Sequence, residues 1–213
     1  FLDTDIEKCF DNIDHKYLFN KLNTIKIFKH QIWSWLKAGI LDFVNKDFSE
    51  INNSGTSQGS PLSPMLMNIT LHGMEDYITN ELEKRDQIKV IRYAEYFVIF
   101  CKTLNDVQRE KKLTIKFLKP IGLNLSEAKT RIGHSMEKKP GISEPIGLDF
   151  LSFHFRNIKC SPHRGVKNTK GVTQPFRLIT MPSRKAVTEH KKALSRILVD
   201  YKDAPLESVI ERL

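Results

Sequence analysis

The chain has 213 residues, 40% hydrophobic and 28% charged, with a net charge of +9, enough to bury one sizeable core and begin a second domain. No run of eighteen apolar residues offers a membrane span, and Phe1-Leu2-Asp3-Thr4-Asp5 has neither the basic start nor the apolar centre of a signal peptide. A soluble protein with no membrane partner is therefore expected, and Cys9, Cys101 and Cys160, widely spaced and without a Cys-x-x-Cys, predict reduced thiols rather than a disulfide framework or a zinc site.

In chain order, Leu2 to Ile6 alternates as a strand does, and Asp14 is placed to cap a short helix with Tyr17, Leu18 and Leu22 as its apolar stripe. Ile32, Leu36, Ile40 and Phe43 predict a second helix from about His30 to Val44, with Trp33 and Trp35 read as core residues. Asn52 to Ser60, rich in Asn, Ser, Thr and Gly, predicts a loop, after which Ser63-Pro64 opens a helix running to about Arg85. The β-rich runs Lys89 to Arg92 and Phe97 to Cys101 predict a hairpin, with the box Tyr93-Ala94-Glu95-Tyr96 at its turn. Val107, Thr114 and Leu118 predict a helix from Thr103 to Leu118, closed by Gly122 before a strand at Thr130 to His134. Pro140 to Pro145 reads as a turn, Ile146 to Ile158 as a strand interrupted by Gly147 and Asp149, and Cys160 to Gln174 as a loop. Ser183 caps a helix with Val187, Leu194 and Leu198 on one side, and Pro205 begins another. The order is an α+β plan.

Charge is unevenly placed. Leu151 to Arg196 holds eleven Lys or Arg against one acid, Glu189, so this segment carries +10 and the rest about −1. Such lopsidedness favours a polyanionic partner. Two carboxylate-bearing segments also stand out, Asp3-x-Asp5 at the first strand and Glu95 at the hairpin turn. Nucleotidyl transfer commonly uses two Mg²⁺ ions roughly 3.5–4 Å apart, held by carboxylates from distant parts of a chain, and a strand end facing a hairpin turn supplies that convergence. Alone, an Asp-x-Asp before a helix is as readily a cap.

The ordered segments resemble the reverse transcriptases and maturases encoded by group II introns. Asp5 to His15 is similar to the family's first palm motif, and Gly55 to Pro64 with Asn68 to its second. Arg92-Tyr93-Ala94-Glu95-Tyr96-Phe97-Val98-Ile99 stands where the family has its Tyr-Ala-Asp-Asp box. Gly122-Leu123-Asn124-Leu125-Ser126 through Lys129-Thr130 is similar to the next motif, and Phe150-Leu151-Ser152-Phe153 to the primer grip. Retron and diversity-generating relatives share the plan, but Asp14-His15 and the long loop lean to the intron-encoded branch. The resemblance implies a palm of antiparallel sheet backed by helices over residues 1–180 and the start of an α-helical thumb, or X domain, over 181–213. It also implies a fragment, with fingers before Phe1 and the rest of the thumb, with any endonuclease, after Leu213.

By the same resemblance Asp5 and Glu95 would be the metal ligands, with Asp3 and Asp11 structural. Phe10 would lie under the incoming sugar, Gln58 and Gly59 would touch template and nucleotide, and Phe150, Leu151, Ser152 and Phe153 would hold the primer end. The chain departs from the pattern where Glu95 and Tyr96 replace two aspartates, Ser57 a proline and Ser152 a glycine. Glu95 shifts its oxygens by about a bond length where a site tolerates roughly 0.5 Å, and Tyr96 removes a charge. Weak Mg²⁺ binding and lost or severely reduced DNA synthesis are expected, with Mg²⁺ needed only for residual polymerase activity.

What remains is a maturase-type splicing factor for group II intron RNA, with DNA or an RNA–DNA hybrid as a further partner and a homodimer compatible with it. The expected RNA contacts are Arg156, Lys159, Arg164, Lys167, Lys170, Arg177, Arg184, Lys185, Lys191 and Lys192. His163 and Phe176 are read as a loop residue and a core aromatic before they are read as base-stacking groups. The rival is an active reverse transcriptase working with Asp5 and Glu95; a non-functional remnant is the third reading. Abundant Asn, Ile, Lys and Phe fit an organelle, chloroplast or mitochondrion, or an AT-rich bacterium.

Overall fold

The computed structural model describes residues 1–38, 54–56, 60–80, 88–138, 142, 146–161, 165–167, 169, 171–202 and 204–212. Of the sequence expectations, Ser57, Gln58, Gly59, His163, Arg164, Lys170, the far ends of two predicted helices and nearly all of the 140–145 turn lie outside the described residues. By its contacts the chain divides into two compact units, Phe1–Ile132 and Gly133–Leu213, a different partition from the 1–180 and 181–213 inferred by resemblance.

The first unit is built on a four-stranded antiparallel sheet of order β2-β3-β1-β4, from β1 (Leu2–Asp5), β2 (Lys89–Tyr93), β3 (Tyr96–Phe100) and β4 (Arg131–Ile132). Register sorts its residues by face. Leu2 and Thr4 stand opposite Ile99 and Phe97, and all four are fully buried. Asp3 and Asp5 stand opposite Val98 and Tyr96 on the other face, where Ile91 and Tyr93 of β2 are exposed.

Among the described residues six α-helices belong to this unit: α1 (Cys9–Asn12), α2 (His15–Lys21), α3 (Lys26–Lys37), α4 (Ser63–Leu71), α5 (Met74–Asn80) and α6 (Leu104–Leu118). Asp14 caps α2 by accepting from the Tyr17 N–H at 2.6 Å, and Thr103 caps α6 by accepting from the Asp106 N–H at 3.1 Å. The single helix expected from Ser63 is two, because Gly73 at φ 84 takes a left-handed conformation after α4. The Lys21 ammonium donates to the carbonyls of Thr70 (2.8 Å) and His72 (2.5 Å), satisfying groups that a continuing helix would have bonded. The α3 helix begins at Lys26, ahead of the expected His30. Its Trp33 packs against Phe19 with ring centroids 5.2 Å apart, but Trp35, expected in the core, is 55% exposed.

The second unit holds a three-stranded antiparallel sheet, β5 (Leu148–Phe150), β6 (Phe153–Lys159) and β9 (Phe176–Pro182), and the small hairpin β7 (Val166–Lys167) with β8 (Thr173–Gln174). The expected strand from Ile146 to Ile158 is thus a hairpin. Its turn is Leu151-Ser152, both at positive φ (47 and 68), and Asp149 is a strand residue bonded to His154 across the pair at 2.6 Å. Part of the expected Cys160–Gln174 loop is β7 and β8, and β9 was not foreseen. Two helices follow, α7 (Arg184–Asp200), capped by the Ser183 hydroxyl, and α8 (Leu206–Arg212). Among the described residues no helix is long and apolar enough to cross a membrane.

Candidate active site and basic surface

The β2–β3 hairpin turns through two residues. Tyr93 and Tyr96 pair as strand residues, leaving Ala94 at φ 55 and Glu95 as the turn. The Glu95 carbonyl accepts from the Ile6 N–H at 3.2 Å, and Asp5 stands opposite Tyr96 in the ladder. The first-strand carboxylate and the box therefore converge as the sequence predicts. At the ladder position facing Asp5, however, the chain presents a phenol rather than an acid.

Arg92 secures this turn from the helix-covered face. Its guanidinium donates to Glu75 Oε1 (2.7 Å) on α5, to Asn68 Oδ1 (2.9 Å) on α4, and to the Ala94 carbonyl (3.2 Å). Such a charge-assisted fork holds more firmly than neutral contacts. Neither Arg92 nor Asn68 carried an assigned role in the sequence reading, although both lie within quoted motifs.

Asp5 is buried, and Lys129 reaches it: the ammonium donates to Asp5 Oδ2 at 2.5 Å. That hydrogen bond, the Asp5 charge and the Glu95 charge hold the Lys129 ammonium above its ordinary pKa. Beneath them Cys9 is buried, and its thiol is pushed up to about 12 by burial, reinforced by Glu95 and Asp5 and opposed by Arg92. Cys9 is thus a neutral, inert group under the acidic pair. Asp5 Oδ1 is also buried and has no hydrogen-bond partner among the described residues. Among the described residues, no three His, Cys, Asp or Glu side chains are grouped to hold a metal ion.

Phe10 is half-buried on α1, and its carbonyl accepts from the Thr56 N–H at 2.6 Å. The second-motif segment is sewn to the first motif there: the Gly55 N–H donates to the Ile13 carbonyl at 2.8 Å, and His15 Nε2 bonds the Gly55 carbonyl at 2.5 Å. A Cβ on Gly55 would fall 2.5 Å from the Asp11 carbonyl oxygen and 2.6 Å from that of Phe10, at φ 82, so only glycine fits. His15 is buried, and burial lowers its pKa. Since a carbonyl can only accept, Nε2 carries the proton.

In the second unit, Leu151 and Ser152 form the turn of the β5–β6 hairpin and Phe153 begins β6, all three exposed, while Phe150 is half-buried. The Ser152 carbonyl accepts from the Ser183 N–H at 2.8 Å, joining this turn to the start of α7. Arg156 and Arg177 lie on one face of the β6–β9 pair, since Arg156 opposes Ile179 and Arg177 opposes Ile158; both arginines are exposed. Lys167, Arg184, Lys185, Lys191 and Lys192 are exposed as well. Lys159 lies on the opposite sheet face, and Glu137 takes its ammonium at 2.7 Å, raising its pKa through that bond. Lys185 has Glu189 at 3.9 Å. Phe176, expected as core, is 38% exposed beside Leu178 on the Lys159 face.

Comparison with known proteins agrees with the motifs. Residues 1–155 match the family described as reverse transcriptase (RNA-dependent DNA polymerase). The chain is 41% identical over 90 residues to the group II intron-encoded protein LtrA of Lactococcus lactis, a match covering 41% of this chain and 14% of LtrA. It is 38% identical over 87 residues to a putative COX1/OXI3 intron 2 protein of Saccharomyces cerevisiae, covering 39% of this chain and 10% of that protein. A putative COX1/OXI3 intron 1 protein of the same yeast matches the whole chain at 24% identity, over 28% of its own length. The chain thus spans under a third of each of these relatives. Among solved structures, a telomerase from Candida albicans shares the fold, with a TM-score of 0.55 at 13% identity over 93% of this chain and 35% of the telomerase chain. The chain belongs to the reverse transcriptase (RNA-dependent DNA polymerase) family, and within it to the group II intron-encoded reverse transcriptases and maturases that its motifs resemble.

Proposed function

We propose that the chain is the palm and early thumb of a maturase-type protein that binds group II intron RNA and assists its splicing, with polymerase chemistry lost. The observation that carries this is the ladder pairing of Asp5 with Tyr96: β1 and β3 converge as a catalytic palm requires, and the converging position holds no acid. The residues present do not fit a two-Mg²⁺ centre. Two carboxylates remain, Asp5 and Glu95, and Lys129 already answers Asp5. A pair of divalent ions there would meet a local charge of about −1, too little to offset their dehydration.

RNA binding needs surface and no metal. Arg156 and Arg177 on one sheet face, with Lys167, Arg184, Lys185, Lys191 and Lys192, are available to phosphates. Lys159 is the weakest of the expected contacts, since Glu137 neutralises it. Neutralising Arg156 and Arg177 together (Arg156→Gln, Arg177→Gln) in the full-length protein should lower intron RNA affinity and reduce the slope of log K against log salt by about 1 to 2. Unchanged affinity and slope would refute the assignment. The relatives' intron origin and the abundance of Asn, Ile, Lys and Phe support an organelle or an AT-rich bacterium as its setting.

A second reading, an active reverse transcriptase using Asp5 and Glu95, is favoured by the buried Asp5 Oδ1, an acceptor with no hydrogen bond among the described residues. Primer extension decides between them. Synthesis by the natural sequence that is abolished by Asp5→Asn would overturn the maturase-only reading.

A further inference from the structure

We propose that Lys129 is a built-in counter-ion that stands in for a divalent cation at Asp5, so that the palm's acidic pair is charge-compensated by the chain itself. The Lys129–Asp5 contact is fixed by backbone, not only by side-chain reach. The Ser126 N–H donates to the Asp5 carbonyl at 2.8 Å, the Lys129 N–H donates to the Ser126 carbonyl at 3.2 Å, and Ile6 bridges to Leu125. Thr130, next in sequence, bonds the Thr4 hydroxyl at 2.7 Å and donates to the Ser126 carbonyl at 2.6 Å. The turn that carries Lys129 is therefore tied to the strand that carries Asp5 on both sides of the ion pair.

The side chains differ in environment: that of Asp5 is 12% exposed and that of Lys129 is 67% exposed. The ammonium thus meets the carboxylate from solvent, the direction from which a hydrated ion would arrive. With Tyr96 opposite Asp5, one monovalent cation leaves the Asp5–Glu95 pair near −1, whereas a divalent ion in the same place must displace Lys129 and shed water for those two carboxylates. Asp5 Oδ1, buried and without a hydrogen bond among the described residues, is the acceptor that becomes useful to an ion once the ammonium is removed. This inference concerns the charge state of the acidic pair and does not depend on RNA binding by the second unit.

The test is Mn²⁺ binding to the full chain without nucleic acid, followed by the loss of the free-ion electron paramagnetic signal and by calorimetry. Three proteins are compared: the natural sequence, Lys129→Met, and Lys129→Met combined with Asp5→Asn. The natural sequence should show no site tighter than the millimolar range. Lys129→Met should gain one site at least about tenfold tighter, the factor of a lost interaction of ~1.4 kcal/mol, and adding Asp5→Asn should remove that gain. Lys129 is mostly exposed, so its truncation should leave the fold intact. Lys129→Arg, which keeps the charge, gives a second check and should bind no better than the natural sequence. Equal affinity in the natural sequence and Lys129→Met would overturn the proposal, as would a gain that survives Asp5→Asn or appears equally in Lys129→Arg.

Discussion

Substituting Gly55 with alanine should undo the seam between the first and second motifs. The added Cβ would sit 2.5 Å from the Asp11 carbonyl oxygen, 2.6 Å from that of Phe10 and 2.7 Å from the Asp11 carbonyl carbon, all backbone atoms that no side-chain rotation can clear. The chain then either keeps a non-glycine residue at φ 82 against that clash or lifts 54–56 away. Lifting loses the bonds from the Gly55 N–H to Ile13, from the Thr56 N–H to Phe10 and from His15 to the Gly55 carbonyl. At ~0.5–1.5 kcal/mol each, their loss costs about 3 kcal/mol. For a chain of this length that lowers Tm by roughly 6–12 °C. Urea unfolding of Gly55→Ala at neutral pH measures it, and adding His15→Gln should then cost less than the same change alone, because the contact is already broken. A Gly55→Ala protein within about 0.5 kcal/mol of the natural sequence would show that the seam carries no stability.

His15 should also make the unit acid-sensitive. Nε2 donates to Gly55 while the buried Nδ1 has no hydrogen-bond partner among the described residues, so protonation would create a buried donor with nothing there to bond. Its folded pKa lies below the unfolded value of ~6.5; the stability tied to neutral His15 is therefore complete above that value and falls as pH drops through the folded pKa. His15→Gln should flatten this limb in pH-dependent urea melts. Ser152→Gly should stabilise the second unit by about 1 kcal/mol, since Ser152 occupies φ 68, and thermal melting would read a rise of a few degrees. Arg92→Leu should cost about 2–4 kcal/mol by stripping the Ala94 carbonyl, Asn68 and Glu75 of their shared partner, detectable as a lower urea midpoint.

Where apolar spacing, a capping residue or turn chemistry marks an element, the sequence is readable. The α6 and α7 helices, the cap at Asp14 and the hairpin around Glu95 follow from alternation, spacing and turn chemistry alone. The missed elements lack that signal. Six of the seven residues of β9 are exposed, so no burial pattern marks Phe176–Pro182 as a strand. Leu151 and Ser152 take a positive-φ turn that neither residue type advertises. The break before α5 depends on Gly73 and on Lys21, which bonds carbonyls 49 and 51 residues away. In the site, the nearness of Asp5 to the box was legible because a hairpin turn can face a strand end. The Lys129 pairing, 124 residues distant, and the Glu137 pairing, from outside the basic stretch, were not legible, because spacing carries no information about such contacts.

Strand alternation explains how chemistry and scaffold come apart in this palm. Phe97 and Ile99 face the core and, with Leu2 and Thr4, set the register of β3 on β1. Tyr96 and Val98 face the other way with Asp3 and Asp5, so a change at position 96 leaves the core-facing residues and the ladder bonds untouched. The turn between the strands is held by the Arg92 guanidinium and by the Ile6 bond to the Glu95 carbonyl, neither of which uses a box carboxylate. The second-motif segment is held by glycine geometry and His15. A carboxylate can therefore be lost from this box at little cost to the fold. An RNA-binding role carried by basic residues on β6, β9 and α7 would be insulated from that loss, and for this reason Tyr96→Asp should change metal affinity while leaving RNA affinity and the unfolding midpoint nearly where they were.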